Sequence, residues 1–221
     1  MLELRRRHGS SVGGGGDTPS ITLPSEYQQV EYIWNNTSNC ILDSGVVAKA
    51  SVEIFVDLQV LGSNDHVGPA IVSAWYDNNF YTKTVFVYIP EPSKITYTYY
   101  QSENTQNIVG LNTSNRNTYF VSREGLFIND KLAVEPFSTE PSDWVNPNNE
   151  TYKFFYFRYE ARFLYFKCWN IKMYDNGELI RNLIPCYSKS DKVVGMYDIV
   201  NDVFYTNAGT GAFIVGPDII D

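Results

Sequence analysis

The run Lys-Met-Tyr-Asp-Asn-Gly-Glu-Leu-Ile-Arg, residues 172–181, reads as two β-strands folded back on each other. Asn176-Gly177 is the pair that a two-residue hairpin turn demands, because both central positions must accept positive φ. A second reversal is expected at Asn201-Asp202, between Ile199-Val200 and Val203-Phe204, inside the run 195–213. Nothing in these runs supplies a nucleophile, a metal cage or a phosphate loop. A C-terminal third given over to hairpins holds the chain to an all-β design.

Upstream, Val52, Ile54, Val56, Leu58 and Val60 alternate with Ser51, Glu53, Phe55, Asp57 and Gln59. A period of two describes a strand with one buried face. Residues 71–75, 84–89 and 95–100 are further β-rich runs, broken at Asp77-Asn78-Asn79 and Pro90-Glu91-Pro92. Residues 118–122 lead into Gly125-Leu126-Phe127-Ile128, and Asn129-Asp130 then turns tightly into Lys131-Leu132-Ala133-Val134. A polar, proline-bearing loop follows over 135–150, and 152–157 and 162–174 are aromatic-rich strands. Only 26–34 resembles a helix, and its β-branched and aromatic residues speak against one. About ten to fourteen short strands at this spacing predict a two-sheet antiparallel sandwich. An aromatic share of 15% suits pleated faces, and 43% hydrophobic content in 221 residues can fill one sizeable core.

Residues 1–22 differ in kind. Arg5, Arg6 and Arg7 form a basic cluster, followed by four glycines at 13–16, so the segment reads as a flexible arm before a body at 23–221. Three arginines against Glu3 and Asp17 give the arm +1, which leaves −9 of the net −8 charge on the body. That asymmetry predicts that arm and body have different partners. An acidic body, with a pI near 4.8, repels phosphate backbones and argues against a nucleic-acid partner. No window approaches the ~20 apolar residues of a membrane span. The N-terminus lacks the apolar stretch of a secretory signal, and Met1 reads as a native start. Three cysteines, Cys40, Cys168 and Cys186, without C-x-x-C spacing, read as reduced, buried small hydrophobes.

Catalytic constellations are not apparent. His66 is the one histidine of the body, and no Gly-x-Ser-x-Gly elbow accompanies it. Glu53 and Asp57 lie about 13 Å apart along a strand, too far for a glycosidase pair. Asp43, Asp77 and Asp198 could meet at calcium only through the tertiary fold, and Asp198 suits the capping of its own turn. No cofactor, metal site or catalytic residue is therefore assigned. The best candidates for recognition are Trp75, Tyr76, Asn78, Asn79 and Tyr81, since a sugar ring stacks on aromatic faces while amides bond its hydroxyls. Aromatic segments of this kind also pack in cores and serve protein contacts.

Two stretches carry a resemblance. Leu23-Pro24-Ser25-Glu26-Tyr27-Gln28-Gln29-Val30-Glu31-Tyr32-Ile33, followed by Leu42-Asp43-Ser44-Gly45, resembles the opening of concanavalin-like (LamG-like) jelly-roll domains. Residues 171–177 with Arg181-Asn182-Leu183-Ile184-Pro185-Cys186 resemble that family's penultimate hairpin. Val194-Gly195-Met196-Tyr197-Asp198 and Phe204-Tyr205-Thr206-Asn207-Ala208-Gly209-Thr210-Gly211 resemble its closing signature. The chain departs from the family at Cys40-Ile41, where an aromatic residue is common, and lacks the Glu-x-Asp-x-x-Glu strand of the glucanases.

The resemblance implies an all-β, two-sheet jelly roll and a non-enzymatic role, since the family occurs in phage structural proteins and gut-bacterial surface proteins. The Met-Leu-x-Leu-Arg-Arg-Arg start is similar to those of proteins from phages and prophages of gut Bacteroides relatives. The expectation is a virion component (capsid decoration, head fibre or tail-fibre element) assembled in the host cytoplasm and displayed on the particle surface. Arg5, Arg6 and Arg7 would anchor it to capsid or other virion proteins, and the body would form a dimer or trimer. The alternative is an adhesin module for bacterial surface polysaccharide or host glycan.

Overall fold

Strand pairing builds everything the structure describes. This computed structural model describes residues 23–35, 39–63, 70–75, 83–91, 94–99, 102–107, 112–135, 145–146, 148–157 and 162–220. In chain order the strands are β1 (Tyr27–Gln29), β2 (Ile33–Asn35), β3 (Leu42–Val47), β4 (Val52–Ser63), β5 (Ala70–Trp75), β6 (Lys83–Glu91), β7 (Lys94–Tyr99), β8 (Ser102–Asn107) and β9 (Arg116–Ser122). They continue as β10 (Gly125–Ile128), β11 (Lys131–Val134), β12 (Thr151–Phe154), β13 (Tyr156–Phe157), β14 (Arg162–Asp175), β15 (Glu178–Ser188), β16 (Val194–Asp198), β17 (Val203–Thr206) and β18 (Ile214–Val215). Among the described residues there is no helix, and the two sheets are antiparallel. The larger sheet has twelve strands on a main path β11-β10-β9-β4-β14-β15-β16-β17, with β1, β2, β13 and β18 attached. The smaller has six, ordered β3-β12-β5-β6-β7-β8. The predicted all-β sandwich is what the chain forms.

The alternation at 51–60 becomes β4, which lies between β9 and β14 at the centre of the larger sheet. Val52, Ile54, Val56 and Leu58 are buried, and the residues between them are half-exposed. Their side chains join Phe166, Cys168, Ile171 and Met173 of β14 in one core with Leu42, Ile71, Val72, Tyr152 and Phe154 of the smaller sheet. Two of the three tight-turn signals hold. Asn176 and Gly177 have φ of 51° and 81°, and Asn129 and Asp130 have 49° and 63°, the left-handed geometry of two-residue hairpins.

Two expectations need correction, the strand count and the turn near Asn201, and one strand is not anticipated by the sequence pattern. The strands number eighteen among the described residues, because β1, β2, β13 and β18 are only two or three residues long. Residues 102–107, an entirely polar run, form β8 at the edge of the smaller sheet, where pairing to β7 supplies the order that hydrophobicity does not. The reversal near Asn201 is a four-residue loop, because Asp198 pairs with Val203 and Ile199-Val200 belong to the turn. Asp198 causes this: its carboxylate accepts the Val200 N–H at 3.1 Å, and its carbonyl accepts the Asp202 N–H at 2.9 Å.

At Phe155 the chain changes sheets. β12 pairs with β3 and β5, whereas β13, one residue later, pairs with β14. Phe155 itself takes a φ of 67°, costly for a bulky residue. Its N–H donates to Ile71 of the smaller sheet at 3.0 Å, and its carbonyl accepts from Leu164 of β14 at 3.3 Å. The ring is fully buried and stacks on Phe166, with centroids 3.6 Å apart and planes 18° from parallel.

Cys40, Cys168 and Cys186 are free and buried, as expected. Burial pushes the Cys40 thiol up to about 11 and the Cys186 thiol up to about 12, and raises Cys168 well above its ordinary value. All three therefore stay protonated at neutral pH and serve as packing groups.

Tyr119, paired with Val56 and Ile128, buries its ring in the core. Among the described residues its hydroxyl has no hydrogen-bond partner. The neighbouring Asn117 donates to the carbonyls of Asn112 and Asn115 and accepts from Asn129; its side chain eases the cost of ionising the Tyr119 hydroxyl but does not reach it in hydrogen-bond geometry. An unsatisfied buried hydroxyl costs about 1–3 kcal/mol. Tyr119→Phe is thus expected to raise stability by about 1 kcal/mol, read as a higher urea midpoint at unchanged m value. A loss of stability would mean that the hydroxyl is bonded.

Candidate functional site

The two stretches that carry the resemblance meet in space. β1 lies along β15, with Tyr27 opposite Ser188 and Gln29 opposite Cys186, and β2 lies between β14 and β18. The Gly216 N–H donates to the Tyr32 carbonyl at 2.8 Å, and the Glu31 N–H to Pro217 at 2.9 Å. Asn207 closes the block. Its Oδ1 accepts the N–H groups of Ile41 at 2.7 Å and Gly209 at 2.9 Å, while its Nδ2 donates to the Gly211 carbonyl at 2.6 Å. An amide suits the position because one planar group both accepts and donates. Glycine is required at 209, where a Cβ would stand 2.2 Å from the Asn39 carbonyl oxygen. The Asn-Ala-Gly-Thr-Gly signature is therefore a clasp between the two ends of the body.

Beside it lies a buried carboxylate. Asp198 is fully buried, and its Oδ1 accepts the Asn182 and Val200 N–H groups at 3.0 and 3.1 Å. Its Oδ2 accepts from the Asn201 amide at 2.8 Å and pairs with Arg181 Nε at 3.4 Å. Arg181 also donates to the Ile180 carbonyl at 2.8 Å and the Ser44 carbonyl at 3.4 Å. Asp43 bonds the Gly45 N–H at 3.0 Å and Thr151 Oγ1 at 2.6 Å. Both acids hold the fold, and among the described residues no three or more His, Cys, Asp or Glu side chains gather as metal ligands.

An aromatic and cationic row crosses the outer face of the larger sheet. On β2 and β14 the buried Ile33, Phe166 and Cys168 alternate with half-exposed Trp34, Lys167 and Trp169. Lys167 Nζ stands 4.6 Å over the Tyr32 ring, and Tyr32 meets Trp169 at 5.2 Å with a 57° tilt. Arg116 of β9 lies 4.3 Å over Trp169 and forks onto Asp57 of β4 at 2.8 and 2.6 Å. Trp34 Nε1 donates to the Val215 carbonyl at 3.2 Å. Such contacts fix rings and charges on the face of the sheet, and that chemistry suits recognition of sugars or protein side chains.

Of the residues singled out from sequence, Trp75 ends β5 and pairs through its backbone with Lys83. Tyr76, Asn78, Asn79 and Tyr81, like Arg5, Arg6 and Arg7, lie outside the described residues. Trp75 belongs to the smaller sheet and the row to the larger one. The phase of Lys167 and Trp169 against Phe166 and Cys168 was a legible signal; their approach to Arg116 and Tyr32 needed the strand register. No family model matches the chain, and no curated protein is similar to it.

Proposed function

We propose that the protein is a non-enzymatic structural component of a phage virion: a capsid decoration, head fibre or tail-fibre element. Its concanavalin-like jelly roll is displayed outward, and its arm docks through Arg5, Arg6 and Arg7. The observation that carries this reading is the meeting of residues 23–45 with 171–211 in one hydrogen-bonded block, as the two ends of such a domain must meet. The commitment of Asp43, Asp198 and all three thiols to packing and hydrogen bonding supports a role without catalysis. The split of charge between arm and body supports two separate partners, and arginine suits the docking end because its planar fork bonds carboxylates in pairs. Particles purified from a host that carries this gene should contain the chain as a stoichiometric component by quantitative mass spectrometry. Its absence from such particles would refute the assignment.

A second reading, the adhesin module, draws on the row formed by Tyr32, Trp169, Lys167 and Arg116. It predicts saturable binding to bacterial surface polysaccharide that Trp169→Ala weakens about tenfold, equivalent to about 1.4 kcal/mol. If Trp75→Ala weakens binding and Trp169→Ala does not, the sugar site lies at 75–81 instead.

A further inference from the structure

The main path of each sheet ends in two outermost strands, β11 and β17 in the larger sheet and β3 and β8 in the smaller, while the short β1, β13 and β18 branch off the larger one. An open edge offers unpaired backbone groups to any passing strand, and proteins commonly guard such edges with charge. Three of these four edges carry charge: Lys131 in β11, Asp43 in β3 and Glu103 in β8. β17, Val-Phe-Tyr-Thr, carries none; the exposed Asp202 stands in the turn before it, and no charged residue follows until Asp218. The stretch 203–217 is thus fifteen uncharged residues in a body of net −9. Its Val203, Ile214 and Val215 are exposed large hydrophobics, at 41%, 38% and 36% of full exposure.

The edge has a defined polarity. A Cβ on Gly195 would stand 2.2 Å from the Tyr205 carbonyl oxygen, so that carbonyl faces β16. Backbone groups alternate along a strand, and those of Phe204 and Thr206 therefore point away from the sheet. Among the described residues no strand pairs with them. Two bodies of like charge meet most readily where neither presents charge.

From this edge we infer that a second copy of the chain pairs antiparallel with β17, joining two twelve-stranded sheets across a two-fold axis through Tyr205. Phe204 of one copy then stands opposite Thr206 of the other, twice over, and these two pairs exchange about four main-chain hydrogen bonds. The parity matters: Phe204 and Thr206 share a face, so the outer faces of both copies stay on one side. The rings of Tyr27 and Phe204, 4.8 Å apart in each copy, would flank the seam. This inference does not depend on where the protein is displayed.

Light scattering on the full chain across the micromolar range tests it. The expected result is a concentration-dependent dimer that Val203→Lys with Thr206→Lys weakens at least tenfold. Leu132→Lys on β11, an equally exposed position at the opposite edge, should leave the dimer intact. A monomer throughout the range overturns the inference and leaves the edge for a strand of a different protein. A dimer that the double variant does not weaken, or that Leu132→Lys weakens equally, also overturns it. Should the double variant fail to fold, amide exchange on the unaltered protein decides. Phe204 and Thr206 must lose protection as the sample is diluted, and exchange independent of concentration would refute the pairing.

Discussion

Asp198→Ala lowers the unfolding free energy by about 3–5 kcal/mol, the range seen when one partner of a buried ion pair is removed. Four donors converge on this carboxylate: the N–H groups of Asn182 and Val200, the Asn201 amide and the Arg181 guanidinium. Alanine removes the acceptor of all four at a position that is itself closed to solvent, although the exposed Asn201 amide keeps its bond to the Ile180 carbonyl at 2.7 Å. Arg181 keeps its carbonyl contacts to Ile180 and Ser44, but neither carbonyl carries a compensating charge. The effect also reaches the fold, since Asp198 sets the four-residue loop that places β17 beside β16. Asp198→Asn retains one acceptor oxygen for the two backbone N–H groups but turns an amide donor toward Arg181 and Asn201, so it recovers part of the loss. A domain has about 5–15 kcal/mol in total, so the shift in urea midpoint will be large. A cost below about 1 kcal/mol would show that water replaces the carboxylate and that the network is not closed.

Phe166→Ala is expected to cost about 3–5 kcal/mol, through lost transfer energy and the cavity left behind. Phe166 is fully buried, stacked on Phe155 and met edge-on by Phe213 at 6.3 Å. What distinguishes it from other core aromatics is the residue that it supports. Phe155 holds a left-handed backbone, which costs about 1–2 kcal/mol for a residue with a Cβ. The stack helps to hold that conformation where the chain passes from one sheet to the other. Loss of the ring should therefore speed amide exchange at Phe155 and Leu164 more than at Ile54 or Val56 of β4. Uniform loss of protection over all four would show that the corner has no separate dependence on the stack.

What was legible in the sequence was local. The alternation of β4 and the turns at 129–130 and 176–177 follow from residues adjacent in the chain, and they decided the fold class. β8 was not legible because its six residues are polar and its order comes from β7. Phe154-Phe155 gives no sign of positive φ, since the sheet change is imposed by contacts on both sides. Asn207 stood out within a recognisable signature, but its role depends on an N–H 166 residues away. The outer row was half legible: the phase put Lys167 and Trp169 on one face, whereas Arg116 and Tyr32 arrive from other strands.

The central claim, that the arm anchors the body to a virion, is tested most directly by particle occupancy. Particles would be assembled in a host supplying either residues 1–221 or residues 23–221, purified, and assayed for the chain by quantitative blot. The account predicts full occupancy with the complete chain and near-complete loss with the truncated one, while the free truncated body remains folded. Equal occupancy by both would contradict it.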